Sequence, residues 1–372
     1  MRIALVCPYS CTMPGGVQTQ VLGLARALRS RGDEVAVVAP AERAGIPGKL
    51  DSAALKGAVF IKVGAGTPIS VNGSRAPVSP WPATMSRTVC ALRAFEPEIV
   101  HVHEPLVPGP SLAAVVSGPR PIVGTFHRSG ADLLYRVYGH IVGAWSGRID
   151  AAFAVSEEAS STAQACVGHL SNRVGIIPNG VEVRSFASVD PWPTTAPTVL
   201  FIGRHEPRKG LAVLLEAFGL LPSSTQLWVL GDGPETGRLR RRFGSDPRIA
   251  WLGPVDDEER AARLAGAQVL VAPSLGGESF GVVLLEAMAA GTAVVASNLP
   301  GYQLAAAGAA RLVPPGDCVA LAEAVRTVLF DDAERQALRD KGRRRAAQCD
   351  MGAIADSYRD AYARLGRAAR SG

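Results

Sequence analysis

The chain has 372 residues, too many for one ordinary hydrophobic core, and this length predicts two domains. Hydrophobic residues make up 47% of it and charged residues 19%, which excludes an intrinsically disordered protein. The formal net charge of +6 favours anionic partners such as nucleotides or phospholipid surfaces. The six cysteines are scattered without a Cys-x2-Cys pair, so neither a zinc site nor a disulfide framework is predicted, and a reducing cytosol is the simplest compartment.

The first half predicts a parallel sheet with helices on both faces. Short β-branched runs alternate with helical periodicity, as in the predicted helix Gln18–Arg31, which Gly32 ends. The predicted strands of this half are Ile3–Cys7, Val35–Ala39, Ile99–His103, Ile122–Phe126 and, as the last, Ala151–Ser156. The apolar start is interpreted as the first strand rather than a signal peptide, and no stretch reaches the roughly 20 apolar residues that span a bilayer.

The domain boundary is predicted near the middle of the chain. A strand that ends in a turn is predicted over Ile176–Val181, and Pro191, Pro193 and Pro197 follow it. We therefore expect an N-terminal domain over residues 1–178 and a C-terminal domain over residues 179–351. A final helix, Gly352–Leu365, within a segment of about 352–372, is expected to pack back on the first domain.

The second half repeats the alternation of strands and helices. Its predicted strands are Thr198–Ile202, Gln226–Leu230, Ile249–Trp251, Val269–Ala272 and Ala293–Ala296. The helices predicted between them are Gly210–Leu221, Glu258–Ala265 and Gly281–Ala290. The predicted fold class is α/β, with two Rossmann-like αβα domains that face a central cleft at the carboxyl ends of their strands.

The segment Gly276–Glu286 carries the most chemical information. Seven residues separate Glu278 from Glu286, and the glycine pair Gly276-Gly277 directly precedes Glu278. We expect Glu278 at the junction between loop and helix and Glu286 about two turns further on. A glycine loop that opens a helix offers N–H groups to an anion, and carboxylates accept from sugar hydroxyls. The alternative is a helix capped by Glu278 with Glu286 on its solvent face.

Two further loops follow predicted strands and suit a diphosphate. Pro14–Gln18 contains a glycine pair, although it is not Gly-x-Gly-x-x-Gly, which disfavours a nicotinamide-dependent oxidoreductase. Gly203–Gly210 places Arg204, Arg208 and Lys209 at the carboxyl end of a strand, where cations neutralise a leaving diphosphate. The alternative for such a run of charges is a solvated loop.

Three histidines lie at or near strand ends in the first half. His127 closes the strand Ile122–Phe126, where it can hydrogen-bond a substrate or relay a proton, unless it is simply a buried imidazole. His101 and His103 share one face of a strand beside Glu104. No further metal ligand is evident, so we predict no metal site there.

These motifs together resemble the retaining glycosyltransferases of family 4, which have the GT-B fold. Further motifs resemble those of the actinobacterial phosphatidylinositol mannosyltransferases within that family: Cys7–Ser10, Pro14–Gln18, Asn72–Ser74, His103–Pro105, Thr125–His127 and Gly276–Gly281. The resemblance implies transfer of mannose from GDP-mannose to the inositol ring of phosphatidylinositol at the inner membrane face. It implies a cytoplasmic, peripheral membrane protein with an N-terminal acceptor-binding and a C-terminal nucleotide-sugar-binding domain, and no nucleic-acid partner.

The resemblance also implies roles for single residues. It assigns a catalytic role to His127, Arg204, Lys209 and Glu278. It assigns donor binding to Gly16, Arg204, Arg208, Lys209, Val255, Asp257, Arg260, Glu278, Ser279, Phe280, Gly281, Val282 and Glu286. It assigns acceptor binding to Tyr9, Gln18, Asn72, Ser74, Arg75 and His127. No tightly bound cofactor or metal is expected, because no Asp-x-Asp motif is evident and the cations balance the diphosphate, with a divalent ion at most loosely attached.

The sequence departs from the family at the acceptor side. Arg75 comes earlier than the family's arginine, and Arg260 replaces a lysine. The predicted helix Ala83–Phe95 has only two basic residues, Arg87 and Arg93, where the family has more. Its apolar stripe is expected to pack against the protein, and consists of Met85, Val89 and Leu92. Membrane binding is therefore expected to be weak, and two alternatives stay open: a transferase acting on a soluble inositol phosphate, and a nucleotide-sugar epimerase.

Overall fold

A computed structural model describes residues 1–13, 15–42, 54–71, 74–130, 139, 143–167 and 174–371. The chain divides into two compact units. The first contains Met1–Gly180 and Met351–Gly372, and the second contains Val181–Asp350. Each unit is built around its own parallel sheet.

The sheet of the first unit has seven strands in the order β3-β2-β1-β6-β7-β8-β9. These are β1 (Arg2–Val6), β2 (Glu34–Ala39), β3 (Val59–Lys62), β6 (Ile99–His103), β7 (Ile122–Phe126), β8 (Ala151–Ala154) and β9 (Val174–Ile176). Two more strands, β4 (Thr67–Val71) and β5 (Ser74–Val78), form a separate antiparallel hairpin. The prediction that Ala151–Ser156 is the last strand was wrong, because β9 follows it.

Helices cover both faces of this sheet because successive side chains of a strand point to opposite faces. Ile3 and Leu5 pack with α1 (Gly16–Arg29) and α13 (Met351–Ser371), whereas Ala4 and Val6 pack on the side of α2 (Pro82–Phe95) and α3 (Pro110–Ser117). The structure also places a 3-10 helix at Ala144–Arg148 and α4 at Glu157–Cys166. Arg31 Nη2 donates to the carbonyl of Gly352 over 2.6 Å and helps to hold α13 in this unit.

The buried face of α2 differs from the predicted stripe. Leu92 is fully buried in the core, as expected, but its partners on the buried face are Thr84 and Thr88. Met85 and Val89 are only half-buried. The buried stripe is displaced because Thr84 and Thr88, whose hydroxyls bond Ser79 and the Thr84 carbonyl, share the buried face with Leu92.

The second unit has a six-stranded parallel sheet in the order β12-β11-β10-β13-β14-β15. The strands are β10 (Thr198–Ile202), β11 (Gln226–Leu230), β12 (Ile249–Gly253), β13 (Val269–Ala272), β14 (Ala293–Ser297) and β15 (Arg311–Val313). The helices are α5 (Val183–Ala187), α6 (Leu211–Phe218), α7 (Thr236–Phe243), α8 (Asp257–Gly266), α9 (Val282–Ala289), α10 (Pro300–Ala306), α11 (Cys318–Phe330) and α12 (Asp332–Gln348). None of the described helices has both the length and the apolar character needed to cross a membrane.

The parallel α/β architecture predicted from the sequence is confirmed in both units. The strands show why helices cover both faces of each sheet. Val269–Ala272, for example, is apolar and buried along its whole length, as a strand between two helical layers must be. The predicted Ile176–Val181 strand is wrong in its bounds, because β9 ends at Ile176 and an irregular segment follows.

Candidate active site

Two loops of the second unit meet at the carboxyl ends of neighbouring strands. One loop follows β10 and runs through Gly203–Gly210, and the other follows β13 and runs through Pro273–Gly281. β10 and β13 are paired in parallel, so these loops leave the sheet side by side. The backbone N–H of Leu275 donates to the carbonyl of Arg208 over 2.7 Å and joins them. The pairing of strands thus brings together two motifs that are some 70 residues apart in the chain.

Five charged side chains from these loops form one connected cluster, called the charged cluster below. Glu206 contacts Arg204 on one side, with Nε–Oε1 3.2 Å, and Arg208 on the other, with Nε–Oε2 3.1 Å. Arg208 Nη1 also lies 3.3 Å from Glu278 Oε1, and Lys209 Nζ lies 2.6 Å from the same oxygen. Cations and carboxylates therefore alternate along the cluster.

The charged cluster is organised before any ligand binds. The Glu206 side chain is 2% exposed and that of Glu278 9% exposed, so both carboxylates are fixed under the more accessible cations. Buried carboxylates need such paired cations to offset their lost hydration. Three cations against two carboxylates leave a net positive charge, which suits an anionic ligand. The interpretation of Gly203–Gly210 as a solvated loop is wrong.

Ser274 and Tyr302 fix the position of Glu278. Ser274 Oγ donates to Glu278 Oε1 over 3.0 Å, and the Tyr302 hydroxyl lies 2.8 Å from Ser274 Oγ. Burial, with the nearby Glu278 charge, raises the pKa of Tyr302 well above its ordinary value, so its hydroxyl keeps the proton that it donates. Sequence reasoning missed three residues of this site: Glu206, Ser274 and Tyr302. Only Glu206 gave a signal, as the acid within a run of cations.

Helix α9 begins at Val282, three residues later than a cap at Glu278 requires. The N-cap is Gly281, with a φ of +96°, and a side chain there would collide with the Tyr302 ring. Among the described residues no side chain caps this helix, so its first N–H groups are directed at the loop. The expected junction position of Glu278 was wrong, and so was the alternative in which it caps the helix.

The remaining donor residues of the glycine-rich loop differ in accessibility. Ser279 and Val282 are half-buried, whereas Phe280 is 1% exposed and its ring belongs to the core. Any contact of Phe280 with a ligand must therefore come from its backbone. Gly277, with a φ of +70°, gives the loop its turn.

Glu286 lies inside α9 and is buried, at 5% exposure, rather than on the solvent face. Arg260 Nη2 approaches Glu286 Oε1 to 3.2 Å. Burial raises the pKa of the Glu286 carboxyl, and the Arg260 charge opposes that rise. Asp257 is exposed at the start of α8, and Val255 is half-buried just before it. Arg260 is therefore paired with Glu286. The replacement of the family's lysine by arginine did not predict this ion pair.

The first unit carries the predicted acceptor residues and one predicted donor residue, Gly16. Gly16 begins α1 and faces open space, because a Cβ there would meet no atom within 4 Å. Gln18 is buried, and its amide donates to the carbonyls of Ser10 and Met13 over 3.3 Å, so it holds the loop after β1. Tyr9 forms an isolated bridge with Val78 and joins that loop to the β4–β5 hairpin.

Three acceptor predictions fall on or beside the hairpin turn. Asn72 lies outside the described residues. The backbones of Ser74 and Arg75 lie in β5, opposite Val71 and Ser70. The hairpin itself was not predicted, because its strands face each other rather than a sheet.

The three histidines form a buried network at the carboxyl ends of β6 and β7. His103 Nδ1 lies 2.9 Å from His127 Nε2, and the His127 backbone N–H donates to Glu104 Oε1 over 2.6 Å. The Asn179 side chain also interacts with the His127 ring. His127 is 7% exposed. Nε2 of His127 is thus engaged by His103, and the ring is buried within the first unit.

The same network reaches α13. His101 Nδ1 lies 2.7 Å from the Tyr362 hydroxyl, and its Nε2 lies 2.8 Å from Thr125 Oγ1. Thr125 Oγ1 in turn lies 3.0 Å from the Tyr358 hydroxyl. In the part of the chain that the structure describes, no group of three or more His, Cys, Asp or Glu is arranged to hold a metal ion. These contacts give His101 a structural role in anchoring α13.

The histidine network predicts how stability responds to acid. Burial lowers the pKa of His101 to about 3 and that of His127 to about 4, and it lowers the pKa of His103 well below 6.5. Below pH 6.5 the unfolded chain binds these protons and the folded chain does not, so stability falls as the pH falls toward 4. Burial raises the pKa of Glu104 to about 7, so this carboxyl adds stability as the pH falls from 7 to 4.5. It is one group against three histidines, so the net stability still falls.

We therefore expect the thermal unfolding midpoint to fall between pH 7.5 and 5.0, and to fall less in His127→Asn. Each histidine removed reduces the slope by about 1.4 kcal/mol per pH unit. Glu104→Gln removes the opposing group and should steepen the fall. The measurement is calorimetry or circular dichroism across this range. An unchanged slope in His127→Asn would mean that its imidazole is already charged in the folded protein near neutral pH.

Two family models match the chain, one in each half. The family model for Glycosyltransferase Family 4 matches residues 14–185, and the model for Glycosyl transferases group 1 matches residues 196–331. The chain is 42% identical over 346 residues to phosphatidyl-myo-inositol mannosyltransferase of Mycolicibacterium smegmatis, covering 90% of this chain and 86% of the relative.

Solved structures agree on the fold. Sucrose-phosphate synthase from Thermosynechococcus elongatus superimposes with a TM-score of 0.76 at 23% identity, covering 98% of this chain and 99% of that one. HepE from Anabaena, in complex with UDP-glucose, superimposes with a TM-score of 0.73 at 19% identity, covering 98% and 99%. At these identities the likeness concerns the fold alone.

Proposed function

The chain belongs to glycosyltransferase family 4, and we propose that it transfers mannose from GDP-mannose to the inositol ring of phosphatidylinositol with retention of anomeric configuration. The observation that carries the proposal is the charged cluster, whose cations and carboxylates lie beside the uncapped start of α9. The similarity to a phosphatidyl-myo-inositol mannosyltransferase supports the choice of sugar and acceptor. The guanine base is what the resemblance to that family implies.

The second unit supplies the donor site in this proposal. Main-chain N–H groups at the start of α9 and the Arg204, Arg208 and Lys209 cations receive the diphosphate. Glu278, fixed by Ser274, accepts from a sugar hydroxyl. Glu286 receives the ribose hydroxyls, with Arg260 holding its carboxylate. HepE, which has the same fold, binds a nucleotide sugar, and this supports the donor class.

The chemistry proposed for the site is electrostatic. Among the described residues of the second unit, no carboxylate of the charged cluster is without a cation, so none is kept as a nucleophile for double displacement. We therefore favour attack on the same face as the leaving group. The departing diphosphate takes the acceptor proton, and Arg204 and Lys209 stabilise the negative charge that grows on it. Because these cations balance the diphosphate, a divalent ion would be at most loosely attached to it.

The first unit supplies the acceptor site in this proposal. The loop after β1, joined to the hairpin through Tyr9 and Val78, receives the inositol phosphate, with Ser74 and Arg75 on the hairpin strand. Nε2 of His127 is engaged by His103 in this state, so a contact of that nitrogen with the acceptor requires the ring to leave His103. His127→Asn is thus a weaker test of function than changes in the charged cluster.

The direct test is a donor screen by calorimetry followed by a transfer assay. GDP-mannose should bind more tightly than UDP-GlcNAc or UDP-glucose, and the labelled sugar should appear on phosphatidylinositol. Preference for a uridine donor with transfer to soluble inositol phosphate would replace the proposal with the soluble-acceptor alternative. Sugar isomerisation without any acceptor would identify an epimerase.

The proposed lipid acceptor predicts weak, salt-sensitive membrane binding. Each basic residue near an anionic surface contributes on the order of 1 kcal/mol, which salt screens, and α2 offers only Arg87 and Arg93, both exposed. Sedimentation with phosphatidylinositol vesicles should recover part of the protein at low salt and little at high salt. Binding that resists salt would instead indicate insertion of apolar groups such as Trp81, which is 56% exposed just before α2.

A further inference from the structure

We propose that the second unit carries a separate binding pocket for a phosphate group, formed by α12 and the end of α10. The pocket has a volume of about 260 Å³. Its lining residues are Ala307, Gly308, Ala309, Lys341, Arg344, Arg345 and Gln348. None of them belongs to the charged cluster, and the proposed transfer reaction makes no use of them.

The sequence of α12 explains why its cations gather at one place. Leu338, Gly342 and Ala346 are buried and recur every four residues, so they form the seam that packs on the domain. Lys341, Arg344, Arg345 and Gln348 follow the spacing of an adjacent helical face. Gly342 allows close packing, because a Cβ there would lie 3.0 Å from the Met288 side chain. The seam thus fixes the direction of the basic face.

One cation of the pocket is held rigidly. Arg345 donates from Nε to the carbonyl of Ala305 and from Nη2 to the carbonyl of Leu304, both over 2.9 Å. These are the last carbonyls of α10, which attract a cation at a helix C-terminus. Arg345 Nη1 has only a 3.4 Å contact with Gln348 Oε1. The guanidinium is therefore oriented by neutral groups and keeps its full charge.

The other two cations are accessible and not neutralised. Lys341 and Arg344 are exposed, and within the described ranges neither side chain makes an ion pair or a hydrogen bond. The lining contains no carboxylate. Elsewhere on this helix the acids are used: Asp340 lies 3.8 Å from Arg343 and accepts from Gln336. Three cations around one concave surface, without a counter-charge, favour an anion.

The ligand chemistry is that of a phosphate monoester or diester. Two arginines give planar donor pairs that match phosphate oxygens, the lysine adds a compact charge, and the Gln348 amide adds a neutral donor. The same chemistry occurs in a free phosphorylated metabolite and in a phospholipid headgroup. The exposure of the pocket allows both, and the experiment below separates them.

The test compares the wild type with Lys341→Ala/Arg344→Ala by calorimetric titration with inorganic phosphate and inositol 1-phosphate at low salt. We expect the double variant to bind one fewer phosphate, because hydrogen bonds from charged groups commonly change affinity about tenfold or more each. The charge-matched control is Arg241→Ala/Arg326→Ala, two exposed arginines on α7 and α11. The charged cluster is intact in all three proteins, so phosphate bound there cancels in the comparison.

Sedimentation of the same three proteins with phosphatidylinositol vesicles identifies the source. If Lys341→Ala/Arg344→Ala loses both soluble and vesicle binding, the site is open to either ligand. Loss of soluble binding alone supports a free metabolite. Loss of vesicle binding alone supports a lipid headgroup. The proposal is overturned if the double variant behaves as the wild type with every ligand. It is also overturned if the control loses as much, because binding then depends on overall charge. Either result leaves the proposed transferase function untouched.

Discussion

Lys209→Ala and Arg204→Ala are each expected to lower kcat at least about 100-fold with the fold intact. Both cations lie where a leaving diphosphate gains negative charge, and loss of one such stabilising group commonly costs about two to three orders of magnitude. The measurement is steady-state transfer from the donor selected by the calorimetric screen. Thermal unfolding of each variant establishes that the fold survives.

The matched control is Arg241→Ala, an exposed arginine on α7 that removes the same charge outside the charged cluster. It should keep nearly normal turnover. Arg204→Ala leaves Glu206 paired with Arg208, and Lys209→Ala leaves Glu278 paired with Arg208. Neither change therefore leaves a buried carboxylate without a cation. Near-normal turnover in both variants would remove these residues from the catalytic site.

The sequence predicted the buried strands well and the peripheral ones poorly. β10 and β11 run over Thr198–Ile202 and Gln226–Leu230 as predicted, because central parallel strands are nearly continuous apolar runs. β3 and β15 were not predicted. Both lie at sheet edges and are short, and Val313 is the single buried residue of the two strands, so neither is a continuous apolar run.

The candidate site shows the same division between local and long-range information. The glycine and charge patterns of Gly203–Gly210 and Gly276–Gly281 are local and could be recognised in the sequence. That Glu206 organises two arginines, and that Ser274 orients Glu278, depends on β10 pairing with β13. No local pattern encodes that pairing, so these positioning residues emerged only from the fold.

His127 illustrates a residue whose place was predicted but whose state was not. It follows β7 as expected, but its Nε2 is engaged by His103 from another strand. Burial then keeps the imidazole neutral. A histidine at a strand end is compatible with substrate contact and with a structural network, and only its partners decide between them.

Glu278→Gln is expected to lower turnover roughly 100-fold or more while changing the unfolding midpoint little. Glutamine can still accept from Ser274 Oγ, and the residue does not cap α9, so the fold has little to lose. The lost negative charge, however, frees Lys209 from its 2.6 Å contact and removes a carboxylate acceptor for the sugar. Glu216→Gln is the control, because Glu216 is a surface carboxylate paired with Arg242 outside the site.

The double variant Lys209→Ala/Glu278→Gln separates the two roles of Glu278. If Glu278 acts mainly by orienting Lys209, the double variant should be little worse than Lys209→Ala alone, since coupled residues are not additive. If Glu278 also accepts directly from the sugar, the losses should multiply, and KM for the donor should rise in Glu278→Gln but less in Lys209→Ala. Oε1 of Glu278 accepts from Lys209, Arg208 and Ser274, while Oε2 has no hydrogen-bond partner among the described residues. That geometry leaves Oε2 for the sugar, so we expect the losses to multiply, and a Glu278→Gln variant that adds nothing to Lys209→Ala would reduce Glu278 to a positioning residue.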